Sequence, residues 1–110
     1  MILTERSVGE VAVVEVNGRI DSIQAPKLHE RLGALMSAGK ASVVDLSKVE
    51  YISSAGFRVL LLLARRSGQE GRRLVLCGMT AKVRQLFDLG GFLDLFPIAQ
   101  SQEEGIAAAQ

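Results

Sequence analysis

Two neighbouring hydroxyls, Ser53 and Ser54, stand between the apolar run Val44-Asp45-Leu46, which reads as a buried strand, and the strongly apolar run Phe57 to Leu61, which reads as a helix. A short polar connector from Ser47 leads up to them. A helix start leaves backbone N–H groups without partners and carries the positive end of the helix dipole. A phosphate attached there is held locally, and its charge of about −1.5 to −2 changes what the surrounding surface binds. The pattern points to a switch rather than an enzyme. The competing reading of Ser54 is a plain N-cap, worth roughly 1 kcal/mol.

Other residues near these serines carry chemistry of their own. Asp21, after Gly18-Arg19-Ile20, reads either as a carboxylate beside the acceptor or as a turn and cap residue before the first helix. Asp45 lies in a strand, an unfavourable place for a lone carboxylate; it either faces the same pocket from the strand end or caps the loop to Ser47, and the structural role is favoured. Gly56 early in a helix permits close approach of a second chain, with packing against its own sheet as the alternative. Phe57 and Arg58 flank the acceptor on the same helix, where they could touch a partner, and for Phe57 a core aromatic is the favoured reading. The expected partner-contact set is therefore Asp21, Ser53, Gly56, Phe57 and Arg58. His29, between Leu28 and Glu30, has no partner at metal spacing and reads as solvated; no metal and no cofactor are expected. Arg65-Arg66 and Arg72-Arg73 bracket one loop and read as a solvated face. The sequence holds no nucleophile elbow, and a nucleotide-binding enzyme is disfavoured by the missing glycines and lysine of a phosphate loop.

These residues need a scaffold, and the hydrophobic pattern supplies one. Ile2–Arg6 and Val11–Val16 read as a hairpin joined by Ser7-Val8-Gly9-Glu10, with Asn17-Gly18 ending the second strand. A helix from about Ile23 to Ala38 accepts Pro26 in its first turn, carries Leu28, Leu32, Leu35 and Met36 on one stripe, and stops at Gly39. Ser42–Leu46 reads as an interior strand. The helix after Ser53-Ser54 runs to Arg66 or Ser67, with Gly68 as its stop, and is apolar almost all round at Val59–Leu63. Such a helix is deeply packed, or one face meets a partner. Arg72–Gly78 reads as the next strand, and Thr80 caps a helix over Ala81–Leu89 with Val83, Leu86 and Phe87 inward and Gly90-Gly91 at its end. Leu95-Phe96-Pro97-Ile98 suits an edge strand, and Glu103–Ala109 a final helix anchored by Ile106. The order β-β-α-β-α-β-α-β-α implies an α/β fold with a mixed sheet and right-handed crossovers.

A chain of 110 residues fits one domain, residues 1–110, around one core. With 48% hydrophobic and 23% charged residues it is ordinary for a globular protein and too apolar for a disordered one. The net charge of +1 argues against a dedicated nucleic-acid binder. The single cysteine, Cys77, excludes a disulfide within the monomer and suits a reducing compartment; it reads as a small buried hydrophobe. Met1–Arg6 lacks the apolar run of a signal peptide, and Val59–Ala64 is far short of the roughly 20 residues that span a bilayer. A cytoplasmic protein without a membrane partner is expected.

Three segments together resemble the STAS family, in particular the stand-alone anti-sigma factor antagonists of bacterial partner-switching systems. Gly18-Arg19-Ile20-Asp21 is similar to the family's Gly-x-Leu/Ile-Asp turn. Val44-Asp45-Leu46 followed by Tyr51-Ile52-Ser53-Ser54-Ala55-Gly56-Phe57 is similar to its Asp-Ser-Ser-Gly-Leu signature, and Thr80–Phe92 resembles its third-helix segment. The resemblance implies a phosphoacceptor at Ser54, modified by a serine kinase of histidine-kinase-like ATPase fold that is also the anti-sigma factor. It further implies that the unphosphorylated protein binds this kinase and frees a sigma factor, that phosphorylation releases it, and that a PP2C-type phosphatase resets the cycle. Ser53 replaces the family's aspartate and stands as a possible second acceptor, while Ala55 replaces its following hydroxyl residue. The alternative within the same family is a scaffold subunit of a larger signalling or transport assembly, with no phosphorylation cycle.

Overall fold

A computed structural model describes all 110 residues. Five strands form one sheet in the order β1-β2-β3-β4-β5: β1 (Ile2–Val8), β2 (Val11–Ile20), β3 (Ala41–Ile52), β4 (Leu74–Cys77) and β5 (Ile98–Ala99). Strands β1 and β2 pair antiparallel through a two-residue turn in which Gly9 takes φ 60°, a conformation that suits glycine in tight hairpins. The remaining neighbours pair in parallel, as a mixed α/β sheet requires. Helices α1 (Ala25–Ser37), α2 (Ser54–Glu70), α3 (Ala81–Leu89) and α4 (Gln102–Ala109) connect or follow the strands, with a 3-10 turn at Leu93–Leu95.

Side chains of the interior strands alternate between two cores. Val14, Val16, Val44, Leu46, Leu74 and Leu76 meet Leu28 and Leu32 of α1, Leu60 and Leu63 of α2, and Val83 and Phe87 of α3. Val11, Val13, Val43, Val75 and Cys77 point to the opposite face, where Ala109 of α4 covers them. This two-sided burial is why these strands are continuously apolar. Gly105 lets α4 lie close to the sheet: a Cβ there would stand 2.9 Å from Val43 Cγ1.

Several boundaries differ from those expected. Strand β2 runs through Asn17-Gly18 to Ile20 instead of ending there, because Gly18 (φ 113°) keeps pairing with Val49 of β3. The connector after Leu46 is strand as well. Strand β3 follows β2 to Ile52 with two register shifts, between Glu15 and Asn17 and between Gly18 and Arg19, which break the alternation of its side chains. Helix α2 passes Gly68 and ends at Gly71, whose φ of 71° supplies the left-handed cap. Helix α1 is shorter than expected at both ends, and β4 is confined to Leu74–Cys77. Strand β5, at the sheet edge as expected, begins after Pro97 rather than running across it, and the Pro97 carbonyl still accepts from Leu76 N at 2.9 Å. Helix α3 has the expected bounds and the Thr80 cap, whose Oγ1 accepts from Val83 N at 3.2 Å.

Candidate functional site

The site lies where the C-terminal ends of β2 and β3 meet the start of α2. Ser53 N donates to the Ile20 carbonyl at 2.9 Å, which ties the first turn of α2 to the end of β2. Ser53 is the N-cap: its φ/ψ of −80°/171° is extended, and its Oγ accepts from Gly56 N at 3.2 Å. The capping role weighed for Ser54 therefore belongs to its neighbour. Ser54 is the first helical residue, is exposed, and has a hydroxyl engaged in no hydrogen bond. The two adjacent serines divide the work: one closes the helix and the other presents its oxygen to solvent. Ala55, half-buried, adds no competing hydroxyl.

The remaining members of the expected set separate by burial. Gly56 is buried, and a Cβ there would stand 2.8 Å from both Ile20 Cγ2 and Ile52 Cγ2 and 3.0 Å from the Ile20 carbonyl oxygen. It lets α2 sit on its own sheet, so the close approach that glycine permits here is intramolecular. Phe57 is buried too, in edge-on contact with Phe87 (4.8 Å between centroids) and stacked on Phe92 (4.7 Å). Gly56 supports the site from beneath, whereas Phe57, though buried, reaches the floor of the groove between α2 and α3. Arg58 is exposed and makes no hydrogen bond, ion pair or ring contact. Asp21 is half-buried, and its Oδ1 accepts from Ile23 N (3.1 Å) and Gln24 N (2.9 Å). Asp21 thus holds the turn that leads into α1, whose N-cap position is Gln24.

Two shallow apolar grooves flank α2. One, of ≈ 410 Å³, runs between α1 and α2 past Pro26, His29, Ala55, Arg58 and Leu62. The other, of ≈ 390 Å³, runs between α2 and α3 past Tyr51, Ser54, Arg58, Leu61, Leu86 and Phe92. The all-round apolar stretch of α2 explains them: Leu60 and Leu63 enter the core, while Leu61 is half-buried and Leu62 is 45% exposed. Exposed Ile23 and Leu89 extend the apolar surface on α1's approach and on α3. Arg19, whose guanidinium sits 4.6 Å over the Tyr51 ring, fixes the wall at the strand ends. Sequence reasoning missed this pair, because only the β2–β3 register brings Arg19 beside Tyr51.

Asp45 lies on the opposite face of the sheet, under α4. It is in register with Glu15 of β2 and Cys77 of β4. Gln102 Nε2 donates to Asp45 Oδ2 and to Glu15 Oε2, each at 2.6 Å, and Gln102 Oε1 accepts from Arg6 Nη2 at 2.8 Å. Asp45 Oδ1 also accepts from Ser47 N at 2.8 Å, the cap considered for it. Burial raises the Asp45 carboxyl, but hydrogen bonds from Ser47 and Gln102 and the nearby Lys48 charge outweigh it and hold the group below its usual 3.8. Burial, with the Asp45 and Glu15 charges, pushes the Cys77 thiol up to about 12. Of the two arginine pairs, Arg65, Arg72 and Arg73 are exposed as expected, and Arg66 is half-buried. Arg66 bonds Glu70 (2.6 Å), Ser37 Oγ (2.8 Å) and the Gly33 carbonyl (3.3 Å), tying α2 to α1, and Arg73 donates to the Ala108 carbonyl at 2.6 Å.

Residues 3–97 match the family described as Mlab, STAS domain. This chain belongs to the STAS domain family. It is 39% identical over 109 residues to BtrV of Bordetella bronchiseptica, a candidate anti-sigma factor antagonist, covering 98% of this chain and 94% of that protein. It is 30% identical over 93 residues to the anti-sigma-B factor antagonist of Bacillus subtilis, covering 84% and 85%. Among solved structures, an anti-sigma factor antagonist from Mycobacterium paratuberculosis superposes with a TM-score of 0.87 at 28% identity, over 98% of this chain and 92% of that one. No helix of this STAS chain is long and apolar enough to cross a membrane.

Proposed function

We propose that this STAS domain, over residues 1–110, is an anti-sigma factor antagonist switched by phosphorylation of Ser54. The observation that carries the reading is the division between the serines: Ser53 caps α2, and Ser54 is left exposed at the dipole's positive end with a free hydroxyl. The names of the relatives support the regulatory role. The partner is an anti-sigma factor that is also a serine kinase of histidine-kinase-like ATPase fold, docked on the grooves beside α2, with a PP2C-type phosphatase restoring the hydroxyl. Ser54 Oγ attacks the γ-phosphorus of ATP held by the kinase. The Oγ–P bond forms as the bond to the bridging oxygen breaks, ADP departs, and the hydroxyl proton passes to a base on the kinase.

The energetics favour release without refolding. The helix dipole returns roughly 0.3–1 kcal/mol to a negative group at an exposed terminus, so the domain tolerates the phosphate. At a docked surface, an unpaired or like charge of this size is worth on the order of several kcal/mol against the complex. The test incubates the protein with the anti-sigma factor kinase it binds and ATP, and maps any added phosphate by mass spectrometry. The expected result is one phosphate on Ser54, absent from Ser54→Ala and retained in Ser53→Ala. In calorimetry, Ser54→Glu stays folded and loses affinity for the kinase. Phosphate on Ser53 alone, or undiminished binding by Ser54→Glu, refutes the reading, and cellular outputs untouched by Ser54→Ala would favour a scaffold without a phosphorylation cycle.

A further inference from the structure

We propose that Arg58 is the internal partner of phosphorylated Ser54, so that modification adds charge at the start of α2 and also withdraws the Arg58 guanidinium from the docking surface. The inference rests on Ser54 being the acceptor. Ser54 and Arg58 are four residues apart on α2, both are exposed, and both line the α2–α3 groove. Residues at that spacing lie about 5–6 Å apart on one helix face, and a negative group N-terminal to a positive one is the favourable orientation. The planar guanidinium matches two phosphate oxygens at once.

Arg58 is also available for this role. Arg6, Arg31, Arg66, Arg72 and Arg73 are engaged by hydrogen bonds, and Arg19 by the Tyr51 ring. Arg65 and Arg84 are unengaged but line neither groove beside α2. No carboxylate lines either groove; the titratable neighbours of Arg58 are His29 across one and Tyr51 across the other. In the unphosphorylated protein Arg58 therefore stands between both grooves as a free cation for an acidic group of the partner. Once Ser54 carries phosphate, the nearest anion is its own.

The test separates this pairing from the identity of the acceptor by installing phosphoserine at position 54 during synthesis, without a kinase. The phosphorus NMR signal is titrated with Arg58 present and in Arg58→Gln. With Arg58 the second phosphate ionisation falls about 0.2–0.4 pH unit lower than in Arg58→Gln, the size of an exposed pair at this helical spacing. Arg58→Lys recovers most of the shift, and 1 M salt, where the screening length is about 3 Å, abolishes it. The unphosphorylated Arg58→Gln protein binds the kinase about 2–5-fold more weakly, with an unchanged melting temperature. Equal phosphate midpoints overturn the pairing while leaving Ser54 as acceptor, and unchanged affinity of unphosphorylated Arg58→Gln overturns the withdrawal. Failure of the kinase to modify Ser54 refutes the reading beneath both.

Discussion

Replacing Gln102 with leucine removes the one side chain that joins α4 to two carboxylates of the sheet. In the native protein its Nε2 spends both protons, one on Glu15 and one on Asp45, each at 2.6 Å. A hydrogen bond to a charged group contributes about 1.5–3 kcal/mol, so two fully buried ones would give roughly 3–6 kcal/mol. Asp45 is 9% exposed, but Glu15 and Gln102 are half-buried, and solvent screening brings the expected loss to about 2–3 kcal/mol. For a domain of this size that is a fall in Tm of roughly 10–20 °C. The loss depends on pH in a defined direction. The Asp45 carboxyl is held below 3.8 in the folded protein, in part by Gln102. A group depressed on folding contributes stability that is present above its unfolded value and lost as pH falls through its folded value. Gln102→Leu therefore shows its full deficit at pH 7, where two neighbouring carboxylates lose their shared donor. The deficit narrows as pH falls below the usual Asp45 value of 3.8 and that carboxylate protonates. Chemical denaturation of both proteins between pH 7 and pH 3 measures it. A deficit that stays constant over that range, or one below about 0.5 kcal/mol at pH 7, refutes the reasoning.

Three further outcomes are expected. Ser53→Ala removes the Gly56 N–H acceptor and lowers stability by roughly 1 kcal/mol in denaturant melts, whereas Ser54→Ala, with no bond to lose, changes it by less than about 0.5 kcal/mol. Phe57→Ala, at a position in contact with Phe87 and Phe92, lowers stability by about 3–5 kcal/mol, so its effect on partner binding tracks the unfolded fraction measured by circular dichroism. Cys77, buried and with its thiol pushed up to about 12, resists a thiol-specific reagent at pH 8 at a rate set by global unfolding, and it labels at once in denaturant.

The parts of this fold that were legible in the sequence are those with strong local signals. Helix α3 announces itself by Thr80 as cap, Val83 and Phe87 as buried positions, and glycines after it. The apolar runs of β2, β3 and β4 follow from burial on both faces. The second half of β3 was hidden because its two register shifts break the alternation of side chains and make Ser47-Lys48-Val49-Glu50 read as a loop. Gly68 misled because it stands on an exposed helical face, where a missing side chain weakens a helix without stopping it, and only the left-handed φ of Gly71 does that. At the site, the pair of serines was visible, but their division of roles was not, since it depends on which residue has extended backbone angles. The Gln102 clamp joins residues 57 and 87 positions apart, a separation with no local signature.

Helix α4 follows every strand in the chain yet closes over β2, β3 and β4. During translation, then, Val11, Val13, Val43, Val75 and Cys77 emerge long before their cover does. Until residues 102–109 follow, the nascent sheet presents a strip of apolar side chains to its surroundings, open to chaperones or to another unfinished copy. The rate at which the ribosome delivers those eight residues sets how long that strip stays bare.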